Sequence, residues 1–226
     1  MTEYVKKTTG PNARLKREDW INAATQSLVD KSIDGVRVEV LAKELGITKG
    51  SFYSYFQNRE ELLRAVITSW ERKATLAVID RLEESGQTAE ERLRTLYRVS
   101  TAQMPGIPGG PLELAIRAWS RRDESVREAV LTVDEARRRY ISMQFQQMGC
   151  TELEANAHSI LYYTYVAGRN IFRQHGEKED NEAYDLVEEL ILRVGSVKRQ
   201  LAHKSIKSTA TKSGRKTAIV KPPVET

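Results

Sequence analysis

The sequence holds one cysteine, Cys150, and three histidines in 226 residues. A lone thiol forms no internal disulfide, which excludes a disulfide-framed secreted fold and fits a reducing compartment. His158, His175 and His203 lie far apart, and none pairs with a cysteine or carboxylate at metal-ligand spacing, so no metal centre is expected. Cys150 and His158 are separated by ~12 Å along a helix, too far for a nucleophile and its base. No glycine-rich phosphate loop is present, since residues 106–110 are interrupted by proline and follow a helix. Catalysis and a bound cofactor are therefore not expected. No apolar run approaches the roughly 20 residues of a membrane span. The opening MTEYVKKTTGPNARLKRE lacks the apolar centre of a signal peptide, so the expectation is a cytoplasmic protein without a membrane partner. Strand-like alternation is missing throughout, which leaves an all-α chain.

Net positive charge is lacking in the middle of the chain. Residues 198–226 carry eight Lys/Arg against the single acid Glu225, and Lys6, Lys7, Arg14, Lys16 and Arg17 stand against Glu3, so the net +5 resides in the ends and the middle is acidic. Such ends read either as solvated tails or as auxiliary, sequence-independent phosphate contacts. Four segments follow: a basic arm at 1–16, a helical head at 17–58, a helical body at 59–203 and a Ser/Thr/Lys/Pro-rich tail at 204–226, expected to be disordered.

In the head, Trp20, Ala23, Ala24, Leu28 and Val29 form an apolar stripe on a first helix over 17–31, followed by a turn at 32–35. Val38, Leu41, Ala42 and Leu45 recur at helical spacing on a second, short helix. Gly46 ends it, because glycine takes the left-handed backbone without steric penalty. Ile47 fills the corner, and Thr48 stands where an N-cap hydroxyl is useful. Phe52, Tyr55 and Phe56 form the inward side of a third helix, while Lys49, Gly50, Ser51, Tyr53 and Ser54 face out. Spacing alone leaves two readings open: an αα-hairpin of any helical protein, or a helix–turn–helix that enters a DNA major groove.

The residues themselves go further. The run GVRVEVLAKELGITKGSFYSYFQNREELL resembles the DNA-binding domain of the TetR/AcrR family of bacterial transcriptional regulators, over about the first quarter of the chain. Two positions depart from that pattern: Val38, where the family usually has Thr, and Tyr55, where His is common. The resemblance implies a three-helix DNA-binding domain followed by a helical ligand-binding and dimerisation domain. It also implies that Thr48, Lys49, Gly50, Ser51, Tyr53, Tyr55 and Arg59 face the DNA, with Lys49 and Gly50 placed to meet base edges and the hydroxyls and Lys49 ammonium placed to meet phosphates.

Asn58 can cap a helix from Arg59 that continues to about residue 84, a lever of ~38 Å at ~1.5 Å per residue. Thr88 and Glu91 form a capping-box pattern for a helix over 89–103. The proline- and glycine-rich residues 104–111 must break it and could gate a pocket. Helices are expected at 112–122, about 124–148, 151–175 and 181–202. Large amphipathic side chains are plentiful in this body, and Trp70, Tyr97, Met104, Trp119, Tyr140, Phe145 and Tyr162 are candidate walls of an effector pocket. Gln103, Arg117, Tyr162 and Asn170 are candidate polar anchors, and an apolar or aromatic effector suits such a lining. Arg117, Asp134 and Arg138 read as a structural ion cluster.

The last two helices each carry an apolar seam. Ile160, Leu161, Thr164, Ala167, Gly168 and Ile171 mark the first, and Leu186, Val187, Leu190, Ile191 and Val194 the second. They either pack inward or pair with a second copy as a four-helix bundle. The resemblance implies the latter, a homodimer that presents two recognition helices to a double-stranded, palindromic operator and releases it on binding a small-molecule effector. An architectural DNA-binding protein that relies on its basic tail is the alternative.

Overall fold

The computed structural model describes residues 15–101, 109–172 and 181–193, and every regular element among them is a helix. Helix α1 (Arg17–Gly35) is followed by α2 (Val38–Glu44), α3 (Lys49–Phe52) and α4 (Arg59–Glu71). A single π-helical turn, Arg72–Leu76, joins α4 to α5 (Ala77–Glu84) without a break. The body continues with α6 (Ala89–Thr101), α7 (Gly110–Ser120), α8 (Glu124–Gln147), α9 (Glu152–Phe172) and α10 (Asn181–Leu192). Gln103, Met104 and Val194, the basic arm up to residue 14, most of the 104–111 segment and the C-terminal tail lie outside the described residues, as do the side chains of Asn170 and Ile171.

Local signals in the sequence account for most boundaries. Asn58 Oδ1 accepts the Glu61 amide at 2.9 Å, the N-cap bond expected for α4. At α6 the capping box is complete: Glu91 takes the Thr88 amide at 2.8 Å while the Thr88 hydroxyl takes the Glu91 amide at 3.3 Å. Gly46 turns the chain after α2 at φ +69°. Helix α7 starts earlier than expected, because Pro111 falls in its first turn, where a missing amide costs nothing. Thr48 does occupy the N-cap of α3, but its side chain makes no cap bond; the Ser51 amide instead reaches the Thr48 carbonyl at 3.1 Å.

Helix α1 runs past its expected end through a kink at Ser32, a non-glycine residue in the left-handed region at φ 61°. Gly35 follows so closely over α1 that a Cβ there would stand 2.3 Å from Lys31 Cβ. Arg59 explains what holds this end. Its Nε donates to the Val36 carbonyl at 2.6 Å and its Nη2 to the Ile33 carbonyl at 2.8 Å. The guanidinium thus satisfies the Val36 carbonyl and adds a second donor to the Ile33 carbonyl, which already accepts the Val36 amide at 3.3 Å.

Two cores organise the chain. The first joins Trp20, Leu28, Leu41, Phe52 and Phe56 of the head to Leu62, Val66 and Trp70 of α4, Ile116 and Trp119 of α7, and Val126 and Val130 of α8. The second gathers Leu93, Tyr97, Phe145, Ala155, Tyr162 and Ile191 from α6, α8, α9 and α10. Packing therefore continues across residue 58: α7 and α8 close over the head, so a movement of α4 is felt by α1 directly.

Candidate functional site

The head presents one face built by α2, the Gly46 turn and α3. Trp20 meets Phe52 edge-on at 5.2 Å, and Phe52 stacks on Phe56 at 5.4 Å, which fixes α3 from below. With that side buried, Thr48, Lys49, Gly50 and Tyr53 are exposed and Ser51 half-buried. Tyr53 is 58 % exposed, although an aromatic ring on a monomer surface usually finds cover. Lys49 donates to Glu39 on α2 in an exposed ion pair. This bond lifts the Lys49 ammonium above its ordinary range and holds the Glu39 carboxyl below its own. Glu39, not singled out from sequence, therefore occupies the cation that a nucleic acid would use. Exposed pairs of this type are worth at most ~1 kcal/mol, so Glu39→Gln is expected to raise DNA affinity about two- to fivefold in a fluorescence anisotropy titration. An unchanged affinity would take Lys49 off the contact surface.

Two residues expected on this face are engaged elsewhere. The Tyr55 hydroxyl donates to the Leu15 carbonyl at 2.5 Å, so its ring, packed on the first core, ties down the entry to α1. Arg59 is committed to the end of α1 as described. Val38 is buried at the start of α2, whose N-cap Arg37 makes no side-chain bond, so that end lacks the hydroxyl cap the sequence pattern would provide.

Beneath the head, α4, the π turn, α5, α6, α7, α8 and α9 enclose a cavity of about 220 Å³. Its walls are mainly apolar, with Val66, Val78, Ile79, Leu96, Val99, Leu112, Ile141 and Val166, and Asn22 and Thr25 bring α1 to its edge. Trp70, Arg117, Tyr140 and Tyr162 of the expected lining are here. Tyr97 and Phe145 pack instead into the second core, where Phe145 stacks on His158 at 4.6 Å, and Trp119 seals the first core between α7 and the head. Large side chains fill space wherever a core needs them, so size alone does not separate wall from core.

One end of the cavity is polar. Arg117 forms a two-pronged pair with Asp134, Nη1 to Oδ2 at 2.9 Å, and also binds Glu113 Oε1 at 2.7 Å. The Tyr163 hydroxyl donates to Asp134, and Trp70 Nε1 donates to Glu113 Oε2 at 3.2 Å. The second cation is Arg137, not the expected Arg138, which is exposed. From Asp134, positions three and four further on both return to the same side of a helix, and spacing does not choose between them. Burial pushes the Asp134 carboxyl up, yet the bonds from Arg117 and Tyr163 outweigh it and hold it below its ordinary value. Burial alone would likewise lower the Arg137 guanidinium, and Glu113 keeps it above.

Arg137 also touches the lever. Its Nε donates to the Thr75 hydroxyl at 3.0 Å, and its Nη2 to the Ala74 carbonyl at 3.4 Å. Both acceptors belong to the π turn, where the Ala77 amide reaches back five residues to the Arg72 carbonyl. Nothing in the sequence RKATL marks a π turn.

On the outer surface, Ile160 and Leu161 of α9 and Leu186 and Leu190 of α10 are each more than half exposed. Thr164 shares this surface and Gly168 is half-buried. The rest of the expected seam turns inward: Ala167 lines the cavity, and Val187 and Ile191 belong to the second core. Positions 186 and 190 lie about 100° around the helix from 187 and 191, so the expected seam of α10 divides, with Leu186 and Leu190 facing out and Val187 and Ile191 facing in. No group of metal-binding side chains occurs among the described residues, and no helix there is long and apolar enough to cross a membrane.

A three-helix helix–turn–helix head thus sits on a helical body that holds a cavity. The family model for bacterial regulatory proteins of the tetR family matches residues 21–66, from α1 into α4. The match is confined to the head and the start of α4, which carry the DNA-binding domain of that family. The chain is 25% identical over 150 residues to the transcriptional regulator AcuR of Cereibacter sphaeroides, covering 65% of this chain and 68% of that protein. Among solved structures it is similar to a TetR transcriptional regulator from Legionella pneumophila, with TM-score 0.63 and 16% identity over 80% of this chain and 97% of that one. It is also similar to FadR of Bacillus subtilis in complex with stearoyl-CoA, with TM-score 0.58 and 18% identity over 78% and 98%.

Proposed function

We propose that the protein is a ligand-responsive repressor of the cytoplasm, which binds a palindromic operator as a homodimer and is released by a small effector with an apolar or aromatic body. The observation that carries this reading is the continuous helical run from Arg59 to Glu84. Its first turns pack under Phe52 and Phe56, and its later turns form one wall of the cavity. A ligand that prefers one position of that run over another changes the pose of the head by its difference in affinity for the two.

The dimer supplies the second half of the mechanism. Ile160, Leu161, Leu186 and Leu190 offer a stripe that a copy of the same two helices can cover, and pairing α9 and α10 with their mates sets the distance between the two recognition helices. The head has five Lys/Arg and six acids between Glu18 and Arg59, so affinity must come from a few placed contacts rather than bulk charge.

Selection of DNA from a random pool by the full chain, followed by a screen for compounds that release it, tests the reading. A pool that converges on an inverted repeat supports it; no convergence would sink it. On the selected sequence, Tyr53→Ala is expected to weaken binding about tenfold with the melting temperature unchanged, as for loss of one well-placed contact. Wild-type affinity in that variant would place the contact face elsewhere.

A further inference from the structure

The two half-buried guanidiniums of the cavity are not held alike. Arg117 has a carboxylate of its own, Asp134, and bonds it and Glu113 at distances down to 2.5 and 2.7 Å. Arg137 has none. It shares Glu113 with Arg117 and Trp70, and every bond it makes to that carboxylate is 3.2 Å long. Its remaining hydrogen bonds, to Thr75, Ala74 and Tyr163, go to neutral acceptors at 3.0 to 3.4 Å, and it lies 5.7 Å from the centroid of the Trp70 ring. Charge-assisted bonds between a guanidinium and a carboxylate settle at about 2.7–2.9 Å, so Arg137 is a half-buried cation on second-best partners.

The carboxylates around the cavity are shared unevenly. Lys73, Arg117 and Arg137 line the cavity against one carboxylate, Glu113, with Asp134 behind Arg117. Lys73 is neutralised at present by Glu18, in a half-exposed surface pair that contributes little. Three cations thus meet three carboxylates, and a monoanion entering beside Arg137 takes the place of a carboxylate, Glu113, that is divided among Arg117, Arg137 and Trp70. The apolar remainder sets its size: a cavity of roughly 150 Å³ holds benzene, so about 220 Å³ suits a body of about 8–12 non-hydrogen atoms.

Resting on the reading of this cavity as the effector site, we propose that the effector is a small organic carboxylate whose head group binds Arg137 and draws its guanidinium off the π turn. A planar carboxylate accepts two parallel N–H bonds from a guanidinium, which neither the Thr75 hydroxyl nor the Ala74 carbonyl does. Once those two acceptors lose Arg137, the π turn loses the donor that reaches its carbonyl and hydroxyl from outside the helix. Reversion of one π turn to α geometry removes one residue from the turn and rotates α4 against α5 by about 100° per residue of register. Packing against α1 and α7 allows only part of that rotation, and that part is what reaches the head.

The test uses benzoate and its uncharged isostere benzamide with the full-length protein, by isothermal titration calorimetry and by hydrogen exchange of the amides of residues 72–77. Benzoate is expected to bind about tenfold or more tightly than benzamide, the difference made by a charge-assisted pair. Arg137→Lys should weaken benzoate by about tenfold through loss of the two-pronged geometry, and Arg137→Met should abolish the preference for benzoate over benzamide. Thr75→Val keeps the cavity charge and is the variant to rely on where Arg137→Met does not fold. It should bind benzoate at least as tightly as wild type while the exchange of residues 72–77 no longer responds. Equal binding of benzamide, failure of both compounds to bind, wild-type benzoate affinity in the Arg137 variants, or unchanged exchange at 72–77 on binding would each overturn the proposal. None of these readouts involves DNA, so a chain that selects no operator would defeat the regulator reading and leave this result standing, and the converse also holds.

Discussion

Phe52→Ala is expected to destabilise the whole chain by roughly 3–5 kcal/mol and to abolish DNA binding. The ring is fully buried, edge-on to Trp20 and stacked on Phe56, at the point where α3 rests on α1 and α4. Helix α3 has only four residues, too few to hold a helical shape without that anchor. Trp20 adds to the cost. Its indole Nε1 is buried without a hydrogen-bond partner, so packing alone orients it, and the cavity left by Phe52 frees it. Because the first core runs on through α7 and α8, the loss is not confined to the head. A single unfolding transition, lower by roughly 10 °C, is expected in a thermal melt followed by tryptophan fluorescence. A melting temperature within about 2 °C of wild type, or a head that melts separately while the body stays folded, would contradict the shared core.

Much of this architecture was legible in the sequence because its signals are local. The stripe from Trp20 to Leu28, the glycine at 46, the Asn58 cap and the Thr88–Glu91 box each act within one or two turns, and each stands where the spacing puts it. What could not be read are pairings between elements. Arg59 reaches 23 and 26 residues back to carbonyls exposed only because α1 kinks at Ser32, and a polar residue in a kink carries no distinctive pattern. Tyr55 stood on the inward side by spacing and on the DNA face by resemblance alone, and its hydroxyl meets a backbone carbonyl 40 residues earlier. Glu113 stands four residues before Arg117, a visible helical pair, but its sharing with Arg137 depends on how α7 crosses α8. The π turn is the extreme case: its residues are ordinary helix formers, and the widened geometry is held by a side chain 62 residues away.

The seam on α10 divides into an outward and an inward stripe, and the outward one carries the second large prediction. Leu186→Asp with Leu190→Asp is expected to convert the protein to a monomer and to weaken binding to its selected DNA about a hundredfold or more, since both recognition helices must then bind independently. Two buried carboxylates facing their symmetry mates would oppose association by desolvation and by like-charge repulsion. Folding should survive, because both leucines are more than half exposed in the single chain. Sedimentation velocity reads the first effect and fluorescence anisotropy the second. Ile191→Ala is the control, since this side chain is buried in the second core beside Tyr162 and Leu93. It is expected to cost roughly 2–5 kcal/mol of stability and to leave the dimer constant nearly unchanged. The two effects therefore separate by one residue of helical phase. If the aspartate pair leaves the sedimentation coefficient of the dimer intact, or if Ile191→Ala dissociates it while the chain stays folded, the outward stripe is not the interface.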